Sequence, residues 1–170
     1  MDFLELVRAR YAVRSYLPRP VAQETLDRIL EAVRLAPSGS NRQPWRFVVV
    51  RSPDVRQQLA EACAGQHFIA EAPVVIAGVG LMPERIMSCD VPGDPVDVAI
   101  ALEHLALAAA AEGLGTCWIG AFDQNQVRRV LDVPATAKVI GVMTLGYAAS
   151  SPRPKTRKPL EEIIVCERWQ

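Results

Sequence analysis

The hydrophobic positions change period several times along the chain, and each change marks an element. Between Val21 and Leu35, Leu26, Ile29, Leu30 and Val33 recur at spacings of three and four, while Glu24, Asp27, Arg28 and Glu31 take the other side. This spacing predicts an amphipathic helix that stops short of Pro37, because a proline disfavours helical backbone in the residue before it. A shorter helix is predicted over Asp2 to Arg10, with Phe3, Leu6 and Val7 on one face. RFVVVR, residues 46–51, is β-branched and reads as a strand. Pro53 then opens a helix at its first turn, running to about Cys63. PVVIAGVGL, residues 73–81, is a continuous apolar strand of the kind buried on both faces.

Residues 82–96 hold Pro83, Pro92, Gly93 and Pro95 and read as a loop, from which Asp94 or Asp97 is placed to cap the next helix. That helix, DVAIALEHLALAAAAEGLG, is apolar nearly all round, so it lies in a core or against another subunit. Its alanines permit close helix approach and favour a subunit interface as part of the answer. Gly113 and Gly115 stop it. Asp123 to Leu131 reads as a short helix capped by Asp123, and Lys138 to Tyr147 as a strand. After a proline- and cation-rich stretch from Ser150 to Pro159, Leu160 to Arg168 reads as a final strand. No repeat or domain boundary interrupts the pattern. It describes one mixed α/β or α+β domain over residues 1–170, with about four strands and five helices.

Charge narrows the classes of function. Lysines and arginines balance aspartates and glutamates at 19 each, which argues against a general nucleic-acid or membrane-surface binder. Any anion site must be local. No apolar run reaches the ~18 residues of a membrane span, and the N-terminus lacks the apolar stretch of a signal peptide. A cytoplasmic protein is expected. Cys63, Cys89, Cys117 and Cys166 form no CxxC pair, and with only His67 and His104 beside them they read as free buried thiols rather than zinc ligands. His67 reads as a loop residue and His104 as a helix-packing residue.

Four stretches are candidates for chemistry. RARYAVRSY, residues 8–16, gathers Arg8, Arg10 and Arg14; PRPKTRKP, residues 152–159, gathers Arg153, Lys155, Arg157 and Lys158. Two basic clusters in a neutral chain suit a shared phosphate or carboxylate, although each taken singly is as readily a solvated surface. GLGTCWIGAF, residues 113–122, either presents backbone N–H groups to a planar ligand or is a helix end leading into a strand. APSGSNRQPW, residues 36–45, spends ten positions where a turn needs few, and carries two serines, an asparagine, a glutamine, an arginine and a tryptophan. No Ser-His-Asp set, Cys-His pair or paired carboxylates stand out, so an enzyme of this sequence would take its reactive group from a cofactor.

Taken in order, these segments resemble the nitroreductase family of flavin enzymes from about Arg8 to Trp169. The opening R-R-S-x-R pattern is matched by Arg10-Tyr11-Ala12-Val13-Arg14, and the P-S-S-x-N-x-Q-P-W loop by Pro37 to Trp45. Gly113 to Gly120 matches G-L-G-T-x-W-I-G, and Lys155-Thr156-Arg157 the late K-x-R. The resemblance implies an α+β nitroreductase-like fold, with a central, mostly antiparallel sheet flanked by helices. It implies an intertwined homodimer with FMN at the subunit interface. It also implies hydride transfer from NADH or NADPH through flavin N5 to a small-molecule acceptor such as a nitroaromatic or quinone. Alternatives are another flavin reaction of the superfamily, such as reductive dehalogenation or flavin cleavage, a non-catalytic FMN-binding or storage protein, and a dimeric protein with no cofactor. By position, Arg10, Lys155 and Arg157 would hold the phosphate, with Tyr11 and Ala12 beside them. Arg14 would serve the phosphate or the flavin N1–O2 edge. Pro37, Ser38, Gly39 and Asn41 would reach the flavin of the partner subunit; the backbone of Trp118, Ile119, Gly120 and Ala121 would lie near N5, and Gln66 near the ring. No side chain is required as a catalytic acid or base. Ala12 and Gly39 stand where the family usually has serine, and the segment between Leu81 and Asp97 is short.

Overall fold

The computed structural model describes residues 2–152 and 154–169; Arg153 of the second basic cluster lies outside them. Asp2 opens helix α1 (Phe3–Ala9): its carboxylate accepts the Glu5 N–H while the Glu5 carboxylate accepts that of Asp2. None of its residues is buried, and Phe3, Leu4 and Val7 stay exposed. Helix α2 (Gln23–Arg34) buries Leu26, Ile29 and Val33, as their spacing predicts.

Four antiparallel strands form the sheet: β1 (Trp45–Val50), β2 (Val74–Gly80), β3 (Gly115–Ile119) and β4 (Lys138–Gly146), in the order β1-β2-β4-β3. Every residue of β2 is buried, and its alternation serves two cores. Val74 and Ile76 pack with α2 and α5 (Gly93–Ala111) on one face. Val75, Ala77 and Val79 pack on the other with α3 (Pro53–Ala62), α4 (Phe68–Glu71) and α6 (Gln124–Val130). α5 lies so close to β2 that a Cβ on Gly78 would come within 2.7 Å of Val98. The Asp123 carboxylate accepts the Gln126 N–H at 2.7 Å and caps α6 as expected. Among the described residues no helix is long and apolar enough to cross a membrane.

Several expectations need correction. α5 begins at Gly93, inside the stretch read as loop. Pro95 sits in its first turn, where backbone amides have no helical partner to lose. Neither Asp94 nor Asp97 caps it; both are turned inward and nearly fully buried. The final strand is absent: Leu160–Glu162 form one 3-10 turn, and residues 163–169 carry no strand. Its β-branched run is only Ile163-Ile164-Val165, and those side chains lie exposed with no sheet edge beside them. The fourth strand comes instead from the glycine-rich stretch after α5, which Gly113 closes in the left-handed region at φ +73. α4 is one turn long, too short to show a period, and His67 sits at its start. The thiols divide: Cys63 and Cys117 are buried, Cys89 and Cys166 exposed.

Between α1 and α2 the chain runs along the β3 edge. Val13 N–H donates to the Thr116 carbonyl at 2.9 Å, Leu17 N–H to that of Tyr147 at 2.9 Å, and Ala149 N–H to that of Ser15 at 3.0 Å. Val13 fills the space over Gly115, where any side chain would overlap it. The first basic cluster is thereby pinned to the edge of the sheet.

Candidate cofactor site

Those contacts bring the two ends of the chain together. Arg10, Tyr11, Ala12, Val13, Arg14 and Ser15 form one side of a cavity of about 540 Å³, and Ser150, Ser151, Pro154, Lys155, Thr156 and Arg157 the other. Tyr11 Oη donates to the Ser150 carbonyl at 2.9 Å and closes one side. Among the described residues four cations line the cavity and no carboxylate does. Glu103 of α5 stands outside, its Oε1 4.0 Å from Arg10 Nε.

Burial, followed by the nearby Arg10 and Arg157, holds the Lys155 ammonium below the usual lysine range. Lys155 Nζ meanwhile donates to the carbonyls of Arg8 and Arg10 and, at 3.5 Å, to that of Val7, so it caps the C-terminus of α1. Arg157 Nη1 donates to the carbonyl of Thr156 at 2.7 Å. The donor set fits a phosphate: forked guanidinium groups, an ammonium and the hydroxyls of Ser15, Ser150, Ser151 and Thr156. The hydroxyls were not singled out from the sequence. Serine and threonine near a proline-rich tail carry no distinctive pattern, and only the fold brings them to the wall of the cavity.

At the far end of β3, Trp118 is 42% exposed and its ring rests on Gly141 of β4. Gln66 reaches the turn that follows, donating from Nε2 to the carbonyls of Cys63 at 2.8 Å and Ala121 at 3.3 Å. Trp118, Ile119, Gly120 and Gln66 are thus grouped, although they do not line the cavity. Pro37, Ser38, Gly39 and Asn41 are elsewhere. Their loop leads into β1, the edge strand opposite β3.

That loop is tightly built. Ser38 Oγ accepts the Gln43 N–H at 2.8 Å, and Gln43 Nε2 donates to the carbonyl and Oδ1 of Asn41 at 3.3 and 3.1 Å. Ser40, Asn41 and Gln43 all hold positive φ, at 54, 53 and 50 degrees. Asparagine tolerates this region; serine and glutamine adopt it at a cost. Three such residues in four positions mark a segment whose shape is imposed by its surroundings. Gly39 is not among them, and a Cβ there would meet only ordinary contacts, 3.5 Å from Arg85 Nη1 and 3.8 Å from Asp97 Oδ1.

Buried nucleophiles add nothing reactive. Burial pushes the Cys63 thiol up to about 11 and raises that of Cys117, so both stay protonated near neutrality. Tyr16 Oη donates to the Val13 carbonyl at 2.9 Å and pairs with Thr144 Oγ1 at 2.6 Å, and burial raises its phenol further still. His104 Nδ1 lies 3.1 Å from the Ala32 carbonyl and joins α5 to α2, the packing role its sequence suggested.

The fold and the cavity define an α+β protein with a cation-lined cleft along one sheet edge. The chain belongs to the nitroreductase family, whose profile matches residues 7–80 and 64–147. It is similar to an NADH dehydrogenase of Thermus thermophilus, at 32% identity over 92% of this chain and 91% of that one. It is also similar to an FMN reductase [NAD(P)H] of Bacillus subtilis, at 31% identity over 89% of this chain and 68% of that one. Its structure superposes on the crystal structure of a nitroreductase family protein from Clostridium difficile with a TM-score of 0.89, at 30% identity, covering 99% of this chain and 100% of that one.

Proposed function

We propose that the chain is an FMN-dependent oxidoreductase. It acts as a cytoplasmic homodimer and passes hydride from NADH or NADPH to a small acceptor such as a nitroaromatic or quinone. The observation that carries this reading is the convergence of Arg10, Arg14, Lys155 and Arg157 on one cavity with no carboxylate in its wall among the described residues. When bound, FMN supplies a ring nitrogen, N5, that accepts a hydride and gives it up again.

The residues of the chain bind and orient. Arg10, Lys155 and Arg157 neutralise the phosphate, with Ser15, Ser150, Ser151 and Thr156 as further donors around Ala12, where the family's serine is missing. Arg14 serves the phosphate or the N1–O2 edge, where a cation favours negative charge on the ring. The backbone from Trp118 to Ala121, held by Gln66, faces N5. Ser38, Gly39 and Asn41 lie at the opposite sheet edge, so they complete the site of a second copy rather than their own. α5 supports the same conclusion: Val96, Ala99, Ile100, Leu107 and Ala110 form a face that this chain leaves only partly covered.

Titration with FMN and steady-state NADH or NADPH consumption with menadione or nitrofurazone test the reading. The loaded protein should turn over with at least one donor–acceptor pair; failure with all of them sinks the reductase assignment. Arg157→Ala should weaken FMN binding about ten- to a hundredfold, the ~1.5–3 kcal/mol of one charge-assisted hydrogen bond. An unchanged affinity would remove the tail from the site.

A further inference from the structure

Asp97 and Arg85 form a buried ion pair beneath the loop that carries Ser38, Gly39 and Asn41. Asp97 is 2% exposed, and its Oδ1 accepts the Gly39 N–H at 2.9 Å. Its other oxygen receives the Arg85 guanidinium. Arg85 belongs to the segment between β2 and α5, whose root is fixed by Asp94: Asp94 is 1% exposed, its Oδ2 accepts the Met82 N–H at 2.6 Å, and its Oδ1 lies 3.9 Å from Arg85 Nε. Two glycines make room for the cluster. A Cβ on Gly93 would overlap the Arg85 guanidinium, and one on Gly80 would overlap Asp94.

Nothing in the packing of the core requires a charge here, and burying one is costly unless it is paired. The pairing serves a backbone amide of a loop with three left-handed residues. We infer that Asp97, oriented by Arg85, is a positioning residue. It fixes the Gly39 amide, and with it the Ser38–Asn41 turn, in the geometry that meets the flavin ring of the second copy. It also couples that turn to the 82–92 segment, because Arg85 reaches both. The inference rests on the assignment of that loop to a flavin at the subunit interface.

Asp97→Ala removes the acceptor of the Gly39 N–H and frees the loop to relax its left-handed residues. Arg85→Met leaves the carboxylate in place but unpaired, and Arg85→Lys restores a charge with fewer donors. The experiment compares these variants with Leu105→Ala, which opens the α5 core about two turns beyond Asp97 and controls for lost stability alone. The readouts are the FMN dissociation constant, the visible spectrum of bound flavin, and KM and kcat for the acceptor.

In Asp97→Ala we expect FMN affinity to fall about tenfold, the scale of one charge-assisted contact, with an altered flavin spectrum. Arg85→Met should change the same quantities in the same direction, and Arg85→Lys should recover part of the loss. Leu105→Ala should lower the melting temperature while leaving spectrum and affinity unchanged. If Asp97→Ala and Arg85→Met merely melt earlier, with wild-type spectrum, affinity and kinetics, the pair is structural and the inference is overturned. Absence of FMN binding by the wild-type protein is a different outcome: it overturns the functional reading itself.

Discussion

Lys155 is held by two competing demands. In the free protein its ammonium caps α1 while burial, Arg10 and Arg157 lower its pKa from 10.5. The folded state therefore binds fewer protons than the unfolded chain in the window just below 10.5. Its destabilising contribution is full below the folded pKa and is relieved as pH rises through that window. A phosphate dianion reverses the balance, because an opposite charge favours the protonated lysine. FMN binding should accordingly take up protons there, and affinity should decline as pH rises through that window. Lys155→Arg, charged throughout, should flatten the decline; flavin fluorescence quenching across the pH range measures both. A decline of equal slope in the arginine variant would place the titrating group elsewhere. The basic side chains of this site were legible in the sequence because clustered charge in a neutral chain is conspicuous. Asp97 was legible only as a helix cap, since its actual partners, the Gly39 amide and Arg85, are 58 and 12 residues away.

At the scale of elements, the cavity exists because the 11–17 segment lies against β3, and that approach depends on Gly115. A Cβ there would overlap Val13, and overpacking of this kind costs about 1–3 kcal/mol. Gly115→Ala should lower stability by that amount. It should also weaken FMN binding, because Arg14 moves with its neighbour Val13. Adding Val13→Ala should restore part of both losses. A double-mutant cycle on melting temperature and FMN affinity tests this, and strictly additive effects would deny the contact its role. Sequence periodicity located α2, β2 and β4 within two residues at each end, because each is long enough to repeat its pattern. It failed for α4, with only four residues, and at the tail, where apolar and β-branched composition suggested a strand. Composition sets what a segment tolerates; a strand also needs an edge to pair with. β3 was foreseen only as one of two readings of its glycines.

For the whole molecule, both ends of the chain carry clusters of uncovered apolar side chains. Phe3, Leu4 and Val7 at one end of the chain, and Leu160, Ile163, Ile164, Val165 and Trp169 at the other, are all exposed, Trp169 at 92%. A soluble monomer rarely leaves so much large apolar surface open. The two proposed halves of the flavin site lie at opposite sheet edges, which a single copy leaves apart. A second copy would resolve both facts, with the tail as the segment proposed to cover its neighbour. Sedimentation equilibrium should then give twice the 18.6 kDa of the chain. A variant ending at Pro159 keeps Arg10, Arg14, Lys155 and Arg157, and so keeps every proposed cation of the phosphate site. It should nonetheless shift toward monomer and lose FMN affinity by at least about tenfold, the effect of losing one charged contact, because the ring's contacts from the other subunit depart with the dimer. A shortened protein that stays dimeric and binds FMN as before would show that the tail's exposed side chains have another purpose. A monomer with undiminished affinity would show that Ser38, Gly39 and Asn41 contribute nothing across the interface.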